Sequence, residues 1–375
     1  MIYLDNAGTT QVIPECVRIF EKYQTEDFFN PSALYHQSLE LSRKLKEARE
    51  DVMRELKCGD GRFIFTSSGS ESDNTVLFGA RKPNGSRIIV SASEHPAVLN
   101  AAMELKQKGY DVVLCDVDRN GRVIEDKFAE YMTAETSLVS VMHVNNETGC
   151  VNDIKKLCET AKKINPNVIF HSDGVQAVGK IKVNIADTGV DAYSVSGHKI
   201  HAPKGVAGLF IAKNASIRPL IYGGGQEFGM RSSTENVGGI LAFSEAVKQA
   251  VTAQKENEIR ITAMRADLAE NLEKFGFCVS EASMQSPYIL CAAMKSVRGE
   301  VMLHSLEKYG ILIGTGSACS SKKGPKRLAS ILKLTPEYEN GIIRVSFSRF
   351  TTNDDIEYFK KSIKTEYEAL FKYIQ

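Results

Sequence analysis

The sequence predicts an α/β protein in which a mostly parallel sheet is covered by helices on both faces and a smaller α+β domain is attached. Three observations carry this expectation. From residue 62 onward, apolar runs of strand length alternate with helical segments, the runs falling at 62–66, 87–91, 111–115, 138–143, 168–172 and 191–196. Polar clusters sit at the carboxyl ends of these runs, where open parallel sheets bind ligands. A long proline-free segment, 237–275, then leads into shorter units, with strands expected at 288–294 and 341–347 and a helix at 299–309. A chain of 375 residues with 43% hydrophobic content can bury one large core and a second, smaller one. The reading places a large domain at 13–255 and builds the small domain from 1–12 and 256–375.

Taken in order, Tyr3-Leu4-Asp5-Asn6-Ala7-Gly8-Thr9-Thr10 is a short strand running into a small-residue turn. Pro14 suits the first position of a helix over 13–23. Asn30-Pro31-Ser32 marks a loop, and Leu41, Leu45, Ala48, Val52 and Leu56 then recur at helical spacing. The run Thr66-Ser67-Ser68-Gly69-Ser70-Glu71 opens a helix, with Ser68 and Glu71 spaced as a capping box. Such a start, rich in glycine and serine, equally suits a phosphate. His95 stands before Pro96 as the cap of another helix. Gly223-Gly224-Gly225 begins a turn that Arg231 and Thr234 close with donors, and the segment after it is read as the bridge between the domains. Thr352 caps a last helix whose apolar face is Ile356, Phe359, Ile363, Tyr367, Leu370 and Ile374.

Composition excludes several classes of function. Forty-seven basic against 46 acidic residues give a net charge of +1, so no overall field recruits nucleic acid or an anionic membrane. No apolar run is long enough to span a bilayer, and the opening residues lack the pattern of a signal peptide, so a cytoplasmic protein is expected. The eight cysteines form no CxxC pair or zinc-like spacing. Free thiols are therefore expected, and no structural metal.

The chemistry centres on Tyr193-Ser194-Val195-Ser196-Gly197-His198-Lys199, where a lysine follows a strand and precedes a Pro-Lys-Gly turn. Desolvation at a strand end can deprotonate such a lysine and make it an amine nucleophile. Ser196 and His198 flank it with groups that bind phosphate, and Asp173 ends the preceding apolar run. A Schiff-base lysine, a carboxylate for a pyridinium nitrogen and donors for a phosphate are together what pyridoxal phosphate requires of a protein. A second nucleophile stands in 314–325, a polar loop of small residues carrying Cys319. Lys322 and Lys323 favour its thiolate, whereas Cys115, Cys158 and Cys291 read as buried hydrophobes.

These pieces, together with Glu94-His95, Val144-Asn145-Asn146-Glu147-Thr148-Gly149, Asp173 with Gln176, Gly229-Met230-Arg231-Ser232, Gly316-Ser317-Ala318-Cys319 and Arg344 before Ser346, span almost the whole chain. In this order and spacing they resemble the class-V aminotransferase family, within pyridoxal-phosphate fold type I, and specifically its Nif- and Isc-type cysteine desulfurases. The resemblance implies a homodimer with active sites at the subunit interface, taking sulfur from L-cysteine as an enzyme persulfide and leaving L-alanine. By position, Lys199 is similar to the Schiff-base lysine, Asp173 to the partner of the pyridine nitrogen, and His95 to the residue stacked on the ring and able to carry a proton. Asn146 and Gln176 match side chains near the phenolic oxygen, and Asn146 also borders the substrate. Gly69, Ser70, Ser196 and His198 match the phosphate cradle, to which Thr234 is contributed from the neighbouring subunit. Arg344 matches the arginine that takes the substrate carboxylate, and Cys319 the persulfide carrier.

Departures from the family pattern are Ser70 for threonine, His201-Ala202 after the lysine, and Gln226 and Phe228 in the triple-glycine turn. The resemblance further implies a sulfur-acceptor protein. The chain stops soon after its last helix, without the extension by which Isc-type enzymes dock an iron–sulfur scaffold, so tRNA or cofactor thiolation stands beside iron–sulfur assembly. Selenocysteine lyase, a sulfide-releasing cysteine lyase and a non-catalytic sulfur-relay scaffold are the rival readings.

Overall fold

Alternation at period two sorts each apolar run between two cores. Phe63 and Phe65 enter one cluster and Ile64 the other, and Phe170 and Ile169 divide in the same way. The computed structural model describes residues 1–80, 83–316 and 324–372. Along the chain, β1 (Ile2–Leu4) precedes α1 (Pro14–Thr25), α2 (His36–Glu55), β2 (Gly61–Thr66), α3 (Gly69–Gly79), β3 (Arg87–Ser91) and α4 (Pro96–Gln107). Next come β4 (Asp111–Cys115), α5 (Glu125–Tyr131), β5 (Thr136–Ser140), α6 (Ile154–Ile164), β6 (Ile169–Asp173), α7 (Ile185–Thr188), β7 (Ala192–Ser196) and β8 (Ala207–Ala212). The remainder is α8 (Val237–Thr252), α9 (Gln254–Lys274), β9 (Cys278–Val279), β10 (Ile289–Ala293), α10 (Gly299–Glu307), β11 (Ile311–Thr315), α11 (Gly324–Ile331), β12 (Ile342–Ser346) and α12 (Asn353–Lys372).

Among the described residues the strands form a seven-stranded sheet, ordered β2-β8-β7-β6-β5-β3-β4, and a five-stranded one, ordered β1-β11-β12-β10-β9. In the larger sheet β8 runs antiparallel to both its neighbours, and the other pairs are parallel. One face is covered by α1, α2, α5, α6, α7 and α8, and the other by α3 and α4. On α2, Leu41, Leu45, Ala48 and Val52 are buried as their spacing predicts. Full burial of a leucine contributes about 1.5–3 kcal/mol. A separate core joins α9, α10 and α12 to the smaller sheet, with Ile356, Phe359, Ile363 and Tyr367 inside and Leu370 packed against it. Ile374 lies outside the described residues.

The structure differs from the sequence reading at several points. The expected single segment over 237–275 is two helices that meet at Ala253, whose φ of −87° and ψ of −2° interrupt the helical path. The partners explain the break, since α8 packs on α1 and α2 while α9 packs into the core of the smaller sheet. The strand expected over 138–143 ends its ladder at Ser140. Beyond it the backbone still bonds to β6, Val141 N to His171 O at 3.1 Å and His143 N to Asp173 O at 2.8 Å. Strands β8, β9 and β11 are not among those the sequence predicts. The first strand pairs with β11 in parallel, Ile2 opposite Ile311, so the chain must cross from the small sheet to the large one through residues 5–10.

Candidate active site

Five parallel strands deliver their carboxyl ends to one place. The turn after β2 supplies Ser68, Gly69 and Ser70, and the turn after β3 supplies His95. The chain after β5 supplies Met142 and Asn146, β6 ends in Asp173 with Val175 and Gln176 beyond it, and β7 ends in Ser196 with His198 and Lys199 following. These residues, with Ala7, Gly8 and Asp73, line a cavity of about 270 Å³. That size is near the lower end of ligand pockets, about 300–1,000 Å³. Gly69, Ser70, His95, Asn146, Asp173, Gln176, Ser196, His198 and Lys199, all singled out from the sequence, are therefore brought together.

Residues 5–10 close the cavity from the side of the small sheet. Lys199 donates from Nζ to the carbonyls of Ala7 and Gly8, each at 2.6 Å. Thr10 N donates to His198 O at 2.9 Å, and His201 N to Thr10 Oγ1 at 2.8 Å, which fixes this strap against the lysine turn. Across from the lysine, Asp173 Oδ1 accepts from Val175 N at 2.9 Å. Burial pushes the Asp173 carboxyl up to about 6, while the Val175 N–H and the Lys199 charge oppose the rise. Glycine is required just after it: a Cβ on Gly174 would lie 2.0 Å from the Tyr193 ring.

His95 caps α4, with Nδ1 accepting from Ala97 N at 3.1 Å. This fixes Nε2 as the protonated nitrogen of a neutral ring. Burial, with the charges of Lys199 and Arg327, takes His95 down to about 4, and burial with Lys199 and other cations does the same to His198. Both rings are neutral near pH 7 and can donate or accept without carrying charge.

The N-terminus of α3 has the form of an anion site. Ser68 Oγ takes Glu71 N at 3.1 Å as the spacing predicted, but the Glu71 carboxylate accepts from Ser67 N at 2.8 Å and pairs with Arg231 at 3.0 Å. The backbone of Gly69 and Ser70 faces the cavity at a helix start, the geometry that binds phosphate. A Cβ on Gly69 would stand 2.9 Å from Val175 Cγ2. Gly69→Ala is accordingly expected to overpack the cradle, a cost of about 1–3 kcal/mol. Fluorescence titration of the apoprotein with pyridoxal 5'-phosphate checks it, and unchanged affinity would refute the cradle assignment.

Two buried polar atoms here lack a hydrogen-bond partner among the described residues, Asp73 Oδ1 and Arg344 Nε. Asp73 was missed in the sequence. It sits one helical turn after Gly69, which is the signal that could have found it, and burial with the nearby Asp173 charge raises its pKa well above the usual range. Arg344 lies on β12, outside the cavity lining, with NH2 2.6 Å from Asp5 Oδ1 and NH1 donating to Asn146 O at 2.9 Å. Thr234 is exposed and stands apart from the cavity, and Cys319 lies outside the described residues.

The family model for class-V aminotransferases matches residues 2–359. The chain belongs to the class-V aminotransferase family. Among curated family members, it is 35% identical over 364 residues to a protein named cysteine desulfurase IscS from Dictyoglomus turgidum, covering 95% of this chain and 92% of that one. It is 34% identical to cysteine desulfurase NifS of Azotobacter vinelandii, covering 95% and 90% of the two chains. Among solved structures of the family, a NifS-like protein superposes with a TM-score of 0.90 at 30% identity, covering 97% of this chain and 98% of its own. A NifS-like protein from Rickettsia africae gives 0.87 at 27%, covering 98% and 99%. The architecture is that of pyridoxal-phosphate fold type I.

Proposed function

We propose that this chain is a pyridoxal-phosphate-dependent cysteine desulfurase, which converts L-cysteine to L-alanine and passes the sulfur as a persulfide on Cys319 to an acceptor protein. The observation that carries the reading is that Lys199 and Asp173, at the ends of neighbouring strands, face one cavity beside the N-terminus of α3. The residues fit the cofactor: a cradle of backbone N–H groups and hydroxyls for its phosphate, a buried carboxyl for its ring nitrogen and an amine for its aldehyde. When bound, pyridoxal phosphate supplies an electrophilic carbon for amines and a cationic ring that withdraws electrons.

The chain's own residues would divide the work as follows. Lys199 holds the cofactor covalently and carries the proton taken from the α-carbon of cysteine. Asp173 keeps the ring nitrogen charged. Gly69, Ser70, Ser196 and His198 hold the phosphate, His95 lies on the ring, and Asn146 and Gln176 serve its phenolic oxygen. Arg344 takes the carboxylate of cysteine, for which its partnerless Nε–H is the available donor. The Cys319 thiolate then forms an S–S bond with the substrate sulfur as the carbon–sulfur bond breaks, and the remaining carbon gains a proton to become alanine.

Arg344→Ala is expected to cost about 2 to 5 kcal/mol of substrate binding, since it removes one partner of a buried charge pair. The Michaelis constant for cysteine checks this, and absorbance of the bound cofactor should persist. A Michaelis constant within twofold of wild type, roughly 0.4 kcal/mol, would remove Arg344 from the substrate site.

A homodimer belongs to the same reading. Tyr222 and Phe228, 74% and 62% exposed, stand on the loop that carries Thr234, and Leu34 is 93% exposed. Exposed aromatic side chains on that loop support an interface there, since aromatic residues are enriched in interfaces. Domains at 13–255 and at 1–12 with 256–375 are supported by the two sheets and their separate cores. The described cysteines are all unpaired, which supports the reducing cytoplasm. Among the described residues no helix is long and apolar enough to cross a membrane.

The test is to incubate the purified protein with pyridoxal phosphate and L-cysteine, assay alanine, and map the sulfur adduct by mass spectrometry. Equal amounts of alanine and Cys319 persulfide in the first turnover are expected from a particle that sediments as a dimer. Turnover of selenocysteine alone, or release of free sulfide with no protein persulfide, would favour the lyase readings.

A further inference from the structure

Behind the cavity wall lies a buried lysine that the reaction as described does not use. Lys180 is only 5% exposed, and its Nζ donates to Oε1 of Gln176. Gln176 in turn donates from Nε2 to Ala7 O at 2.9 Å. The two neighbours fix the orientation of the carboxamide, because an amine has hydrogens to give and a carbonyl can only accept. Ala7 O also receives Lys199 Nζ at 2.6 Å, so both its lone pairs are engaged. Gln176 lines the cavity and Lys180 does not. With its oxygen taken by Lys180 and one N–H by Ala7, the amide has its second N–H left for the cavity.

We propose that Lys180 is a positioning residue, which locks the carboxamide of Gln176 so that it presents N–H, and never C=O, to an anionic oxygen of the bound ligand. This rests on the functional reading above, in which that oxygen is the phenolic oxygen of pyridoxal phosphate. An amide free to flip would offer its carbonyl to the same oxygen in part of the population and repel it. The setting of Lys180 agrees with a role beyond filling space. It borders a void of about 20 Å³ lined by Thr10, Lys199, His201, Tyr288 and Arg349 among others, with no carboxylate in the lining. Burial first, then the charges of Lys199 and Arg344, brings its pKa down to about 7, and a neutral amine would still donate to Gln176.

The test is a double-mutant cycle between Lys180→Met and Gln176→Leu, read on the apoprotein titrated with pyridoxal 5'-phosphate and on the absorption maximum of the bound cofactor. Lys180→Met is expected to weaken binding about tenfold, the worth of one hydrogen bond to a charged group, and to shift the maximum. In the Gln176→Leu background, the same substitution should change neither quantity, because the amide through which it acts is gone. Should the methionine variant not fold, Lys180→Gln is read in both backgrounds, and its effect must vanish in the same way. A Lys180 effect of equal size with and without Gln176, or no effect on the maximum, overturns the positioning role while leaving the functional reading intact. Wild-type protein that binds no pyridoxal phosphate overturns both.

Discussion

Lys199→Ala is expected to lower alanine production from L-cysteine by on the order of 10⁴-fold or more while leaving the fold in place. Loss of a general acid–base alone costs about 10²- to 10⁴-fold, and in the proposed function the same side chain would also be the covalent anchor. The fold should survive because the Nζ contacts are to the carbonyls of Ala7 and Gly8 at the cavity surface, where water can replace it. Borohydride reduction of the wild-type holoprotein followed by peptide mapping should label Lys199. The informative competitor is Lys180, another buried amine, brought by its surroundings to about 7. Its Nζ is turned toward Gln176 on the far side of the wall, so it should stay unlabelled. A label on Lys180, or an alanine variant keeping more than roughly 1% of wild-type turnover, about 2.7 kcal/mol on the barrier, would end the assignment of Lys199.

How much of this was legible in the sequence depended on whether a signal was local. Asp173 and Lys199 were readable because each ends an apolar run, and strand ends in a parallel sheet point to one edge. The Ser68 cap was readable from spacing alone, but Arg231, 160 residues further on, also pairs with Glu71. Nothing near Glu71 announces that partner. Strand β8 was missed because six apolar and small residues, Ala207 to Ala212, have no period to distinguish strand from buried helix. The break at Ala253 has neither proline nor glycine, and the two cores on either side of it decide where α8 ends. Lys180 carried no signal at all. A lysine after glycine reads as surface, and its meaning comes from the turn that folds it back onto Gln176.

The largest effect on sulfur transfer is expected from Cys319→Ser, which should bind pyridoxal phosphate as wild type does yet lose alanine and persulfide production by on the order of 10³-fold or more. A serine hydroxyl does not ionise near neutral pH and is a poor nucleophile toward sulfur, whereas a thiolate is both available and soft. The described cysteines leave little competition. Burial pushes Cys16, Cys58, Cys115, Cys150, Cys158 and Cys291 up to about 12, so their thiols stay protonated. Cys278 is exposed on β9 at the edge of the small sheet, and Cys278→Ser serves as the control with no expected loss. The flanks of the Cys319 segment also favour it. A Cβ on Gly314 would sit 3.0 Å from the Arg344 guanidinium, and Arg327 donates to the carbonyls of Ala92 and Glu94 at 3.1 and 3.2 Å. Gly314 thus lies beside Arg344, and Arg327 reaches the residue before His95, which lines the cavity. Cys319 follows Gly314 by five residues, a length of chain that extends at most roughly 18 Å. If Cys319→Ser released alanine and free sulfide at near wild-type rate, Cys319 would have no part in carbon–sulfur cleavage, and the chain would be a sulfide-releasing lyase.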